Sequence, residues 1–213
     1  MRANGAHEAA AQPRRRHPPF QMEFPMALTA LEICTRALLK IGASPVASLD
    51  EGTAEAEVAA NLYPATRDTL LSLHPWSFAT GQQTLPRLAA VPEADFQYAF
   101  QLPAGFLRVL SAGPPGSSQG LTYRILEERL HTDADQVTLA YIFRPDEAAF
   151  PPFFASALAA RLAAEFCIPL TEATSRAQLL FGQAEAELRT ARHADSAQAT
   201  PRALRDFPLI SAR

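Results

Sequence analysis

The sequence predicts an α+β protein, mainly helical: a four-helix bundle with an inserted small antiparallel β-sheet and extended terminal arms. Three observations predict it. Apolar residues recur at helical spacing in two blocks, 28–73 and 152–192, and switch to period-two alternation between them, over 77–143. The two ends, 1–25 and 195–213, show no periodicity. Finally, 48% hydrophobic and 19% charged residues in 213 give the composition of a globular chain with a core of useful size.

This gives a flexible N-terminal arm (1–25), a folded domain (26–194) and a C-terminal partner-docking tail (195–213), with helices expected at 28–42, 53–73, 152–167 and 172–192. The arm is rich in Ala, Pro and Arg, and Met26 opens a run that reads as the start of the domain. The first helix opens on Thr29-Ala30-Leu31-Glu32, a capping box, and stops at Gly42, with Leu31, Cys34, Leu38 and Ile41 on one face. In the second, Val58, Leu62, Ala65 and Leu73 form the expected inward stripe, and Pro64 predicts a kink near Tyr63. It ends at His74-Pro75-Trp76, because a residue before proline is pushed toward extended backbone.

The inserted sheet is assembled from residues 78–85, the alternating Phe96, Tyr98, Phe100 and Leu102, then 106–110, 121–125 and 137–143. Residues 113–118 read as an exposed turn, and 132–136 as part of a connection. The sheet's aromatics fit core packing better than a base-stacking platform, since an acidic body supplies no phosphate steering. After Pro151-Pro152, a third helix carries Phe154, Leu158, Ala159, Leu162 and Phe166 inward and breaks at Ile168-Pro169-Leu170. Thr171 is the expected cap of the fourth, whose stripe is Ala173, Ala177, Leu180, Ala184 and Leu188.

Charge and chemistry narrow the function. The net charge of −3 divides into +2 over 1–25, −8 over 26–188 and +3 over 189–213. An acidic body with basic ends lacks the continuous cationic face of a non-specific DNA binder. No run reaches the roughly 18 apolar residues of a membrane span. Cys34 and Cys167 both sit on apolar helical faces and read as buried free thiols. His7, His17, His74, His131 and His193 are scattered without metal-ligand spacing. Glu127-Glu128 and Asp133/Asp135 lie at strand ends without a pocket to split their pKa values. Only His74 beside Trp76 has an enzymatic look, and a Trp wedged under a proline turn, its indole N–H donating to backbone, accounts for it. No catalytic residue, cofactor or metal is expected.

A resemblance is carried by Leu31-x-x-Cys34-x-x-Ala37-Leu38-x-x-Ile41-Gly42, Ser48-Leu49, Tyr63, Arg67-Asp68 and His74-Pro75-Trp76-Ser77-Phe78-Ala79. It continues in Tyr98-Ala99-Phe100-x-Leu102-Pro103, Leu107-Arg108-Val109, Ala157-Leu158-Ala159 and Ile168-Pro169-Leu170-Thr171. Over residues 26–190 the chain resembles the tail tubular protein A family of short-tailed phages. It is also similar to adaptor proteins of other phages and of gene transfer agents. The resemblance implies a structural head–tail adaptor, not an enzyme: a ring of twelve copies under the portal protein, holding a platform for a downstream stopper or tail protein. Double-stranded DNA would pass through its channel without specific binding, and no membrane is involved. Such a protein is assembled in the host cytoplasm and resides in the neck of the particle. The structural motif would be Arg67, Asp68, His74, Pro75, Trp76 and Phe78. The tail would dock on the portal through Arg202, Arg205, Phe207, Leu209 and Ile210. Two other classes remain open. A tail-associated cell-wall hydrolase needs paired carboxylates or a zinc site, and a nucleic-acid-binding module needs steeply salt-dependent DNA retention.

Overall fold

The computed structural model describes residues 28–198, an α+β chain. Within them lie four helices, α1 (Ala30–Ile41), α2 (Ala54–Leu73), α3 (Pro152–Thr171) and α4 (Thr174–Ser196). Between α2 and α3 come β1 (Thr80–Thr84), β2 (Tyr98–Gln101), β3 (Phe106–Gly113), β4 (Tyr123–Leu126), β5 (Arg129–Thr132) and β6 (Thr138–Phe143). They form two three-stranded antiparallel sheets: β1-β6-β3 (sheet A) and β2-β5-β4 (sheet B). The single inserted sheet expected from the sequence is thus corrected to two. The missed strand is β5, whose Arg129-Leu130-His131-Thr132 has only one strongly apolar residue.

Local sequence explains most boundaries. In α1 the Thr29 hydroxyl accepts from Glu32 N–H at 3.2 Å and Thr29 N–H donates to Glu32 at 3.0 Å, completing the capping box. Gly42 closes the helix at φ 75°, a left-handed value that its missing Cβ makes cheap. Helix α2 continues through Pro64. Its buried face is Ala56, Ala59, Tyr63, Leu70 and Leu71, with Val58 and Leu62 half-buried; Ala65 and Leu73 face solvent, so the expected stripe is rotated. Helix α3 does not break at Ile168-Pro169-Leu170 but runs to Thr171, where Thr171 Oγ1 donates to Cys167 O at 2.6 Å. Thr171 therefore ends α3 and does not cap α4, whose N-cap is Ala173.

α3 is the axis of the helical layer. Its Phe154, Leu158, Leu162 and Phe166 and its alanines are buried against α1, α2 and α4. By length and composition alone α3 is long and apolar enough to cross a membrane. Most of that surface is buried inside the chain, as in the core helix of a folded domain. The alanine stripes of α3 and α4 are likewise used within the molecule, bringing the two helices close together.

Sheet A is the shared wall between two cores. Along β6, Ile142 joins the helical core, while Leu139, Tyr141 and Phe143 face sheet B. Burial on both faces is why Leu139 to Phe143 are all apolar. On β3, Leu107 and Leu110 meet the helices and Phe106, Val109 and Ala112 meet sheet B, a phase set by two bulges against β6. Beyond β3 the expected exposed turn is present. A Cβ at Gly113 would strike the backbone of Ser117 and Gln119, so the return of the chain there requires glycine. The aromatics of the insertion fill the space between the sheets, Phe100 at 1% exposure among them.

Candidate functional site: the His-Pro-Trp turn and its charged braces

Pro75 places His74 in extended backbone (φ −143°, ψ 144°), as the pre-proline rule demands, and turns Trp76 back under α2. The Trp76 indole is fully buried and its Nε1–H donates to Leu70 O at 2.9 Å. Around it stand Phe78, Phe153 and Phe154, with ring centroids 6.0, 6.4 and 5.0 Å away. Phe78 packs in turn on Phe150 and Phe154. This aromatic cluster ties the end of α2 to the start of α3, which are far apart in sequence.

Two polar braces flank it. In the first, Arg67 donates from Nε to Asp68 at 3.0 Å and from NH1 to Glu147 at 2.9 Å. Tyr63 OH donates to the same Glu147 oxygen at 3.0 Å, and Arg144 makes a two-pronged contact to Asp68. Burial alone would raise Asp68, but hydrogen bonds from Arg144 and Arg67 hold its carboxyl below its ordinary value. Burial opposes ionisation of Glu147 too, and its own backbone N–H with Arg67 and Tyr63 brings it down. The Tyr63 phenol is pushed well up by burial and by the Glu147 charge. These groups clamp α2 onto the chain between β6 and α3.

The second brace is centred on Asp195, 4% exposed near the end of α4. It accepts from Ser77 N–H at 3.1 Å and Ser77 Oγ at 2.7 Å, with His74 Nε2 at 3.5 Å. Burial lowers His74 more than Asp195 raises it, and Arg192 and Arg108 add to the lowering. Ser77 and His74 both converge on the carboxylate, so the Ser hydroxyl gives its proton to Asp195 and not to the imidazole. Activation of a serine requires the opposite order, Ser to His to Asp. The geometry serves to fasten α4 to the Pro75 turn.

All six motif residues expected from the sequence therefore meet here: Trp76 and Phe78 in the aromatic cluster, Arg67 and Asp68 in one brace, His74 in the other, with Pro75 setting the turn. Arg202, Arg205, Phe207, Leu209 and Ile210 lie outside the described residues, as does the arm 1–25. Sequence reasoning missed Arg144, Glu147 and Asp195. Nothing local announces the first two, which act across some 80 residues. Asp195 had a signal: it continues the buried spacing Ala184, Leu188, Ala191. The expected start of the tail at 195 accordingly falls inside α4, which extends to Ser196.

Among the described residues no group of three or more His, Cys, Asp or Glu is placed to hold a metal ion. Cys34 and Cys167 are both free and buried, and burial pushes the Cys34 thiol up to about 12. A groove of about 630 Å³ is lined by Leu102, Pro103, Phe106, Ile125 and Glu128. No protein-family model and no curated protein matches the chain.

Proposed function

We propose that this chain is a structural head–tail adaptor, a subunit of a ring beneath the portal of a phage or phage-like particle. In this reading the four helices act as a bundle around α3 that gives each subunit a rigid body. The two sheets form the face offered to the next tail component. The observation that carries the proposal is the condition of the motif residues. Arg67, Asp68, His74, Trp76 and Phe78 are all spent on joining distant segments, as a rigid spacer requires. The acidic charge of residues 26–188 suits a channel wall past which duplex DNA slides. Alanine stripes packed within the chain leave ring contacts to exposed apolar side chains, among them Leu73, Val91, Leu126 and Leu179. Portal attachment falls to the tail anchors Phe207, Leu209 and Ile210, with Arg202 and Arg205 facing portal carboxylates.

Particle imaging tests the proposal directly. Labelled protein should appear at the neck as a ring of about twelve copies, matching the closed cyclic symmetry of a heterologous interface. A single copy per particle, or its absence from the neck, would overturn it. Replacing Phe207, Leu209 and Ile210 together by Asp should leave the free chain folded while removing it from particles.

A further inference from the structure

The groove lined by Leu102, Pro103, Phe106, Ile125 and Glu128 has the size of an ordinary binding cleft, which runs from about 300 to 1,000 Å³. One wall is the connection from β2 to β3, where Phe106 N–H donates to Pro103 O at 3.2 Å and turns the chain. The other wall is β4 and the turn that follows it. Phe106 and Ile125 stand on opposite walls and are only half-buried. Each packs against the core around Phe100 and Leu130 and also lines the groove. Apolar surface left open in a cleft marks a place where another molecule fits.

Glu128 is the one charged side chain among the described residues that line it. Arg129, next in the chain, does not neutralise it there. Arg129 pairs in register with Leu126, and Ile125 with Leu130, so Arg129 stands on the face of sheet B opposite to Ile125. With Leu126 and Glu127 it lines a separate hollow on that side. The backbone at Glu128 points the same way. Its φ is 58°, at the turn position where a type I′ hairpin prefers glycine. A side chain held in left-handed backbone costs conformational energy that glycine avoids. A carboxylate thus sits at the rim of an apolar groove against the preference of its own turn.

The occupant that complements apolar walls and a single negative charge carries apolar side chains and a cation. We propose that the groove docks a basic, apolar segment of a partner protein, its apolar side chains between Phe106 and Ile125 and a Lys or Arg on Glu128. This deepens the adaptor reading, which offers the sheets to the next tail component. The test uses peptides, so the groove can fail while a ring at the neck stands, and the ring can fail while the groove stands.

Amide NMR spectra of the full-length chain, titrated with the blocked tetrapeptides Arg-Leu-Phe-Arg and Glu-Leu-Phe-Glu, decide it. The basic peptide should shift the amides of Leu102, Phe106, Ile125 and Glu128, and the acidic one should not. Glu128→Gly should weaken the basic peptide about fivefold, the effect of losing one exposed ion pair. The same variant should raise Tm, because glycine relaxes the turn. Glu127→Gln, which faces the other hollow, should leave binding unchanged. Binding of neither peptide, equal binding of both, or undiminished binding by Glu128→Gly would overturn the proposal. So would a lower Tm in Glu128→Gly, which would give Glu128 to the fold and not to a ligand. Shifts of the same amides with protein concentration alone would place a second copy in the groove and overturn it as well.

Discussion

The two cores on either side of sheet A are held by different means. The helical one is closed by contacts between segments far apart in the chain: Trp76 against Phe154, Arg67 against Glu147, Ser77 against Asp195. The smaller one, around Phe100, Leu130, Leu139 and Tyr141, is built largely from neighbouring strands, with β4 and β5 joined by a two-residue turn. That turn, Glu127-Glu128, has φ of 49° and 58°, left-handed at both positions as a tight hairpin of type I′ requires. One core sets the shape of the molecule; the other decorates it. The difference predicts that the helical side unfolds only with the whole chain, whereas sheet B opens locally first.

Trp76→Ala should strike hardest. It deletes a fully buried ring, its hydrogen bond to Leu70 and its ring contacts with His74, Phe78, Phe153 and Phe154, at a cost of about 3–5 kcal/mol. In a domain of this size that lowers Tm by roughly 10 °C in a thermal melt. An unchanged Tm would mean that Trp76 is not part of the core that sets the fold. Leu130→Ala, equally buried but between the sheets, should cost about 2–4 kcal/mol. Its signature is local: amides of β2, β4 and β5 lose protection from exchange while those of α3 keep theirs. Equal loss in α3 would show that the two cores open as one unit.

The sequence revealed the helical side far better than the sheet side, for physical reasons. Capping residues, Gly42 and the pre-proline rule act over three or four residues, so α1 and the Pro75 turn follow from local chemistry. Strand β6 was expected at 137–143, although the division of its faces between two cores was not. β5 escaped because a short strand with one large apolar residue carries no periodic signal. Pro169 misled, since a proline in the last turn of a long, well-buried helix need not end it. As for the site, its aromatic half was legible from the turn, whereas Arg144 and Glu147 become partners only once β6 leads the chain back to α2.

The charged brace between α2 and Glu147 gives a third, smaller effect. Asp68 and Glu147 are held below their ordinary values of 3.8 and 4.5, so the unfolded chain takes up protons before the folded one as pH falls. The stability they contribute is complete above that range and is lost as pH drops through their lowered folded values. Arg67→Met should cost about 1–3 kcal/mol at neutral pH, leaving Glu147 with one donor fewer. Urea midpoints followed from pH 7 to pH 3 should decline less steeply in the variant than in the natural protein. Parallel curves would show that the brace adds nothing to folding.

The smallest effect lies at His74, on the seam where α4 meets the Pro75 turn. Burial keeps the imbalance toward neutral imidazole, Asp195 pulls the other way, and Arg192 and Arg108 side with burial. With its folded pKa below 6.5, His74 is protonated first in the unfolded chain. Stability from this group is therefore full above that value and declines as pH falls through the interval down to the folded pKa. His74→Gln should abolish that part of the slope. An NMR titration gives the sign independently, since the His74 midpoint should fall below 6.5 and lower still in Asp195→Asn. A midpoint above 6.5 would mean that the Asp195 charge outweighs burial, turning His74 into a cation whose pairing strengthens in mild acid. The seam between α4 and the turn would then tighten where this structure has it loosen.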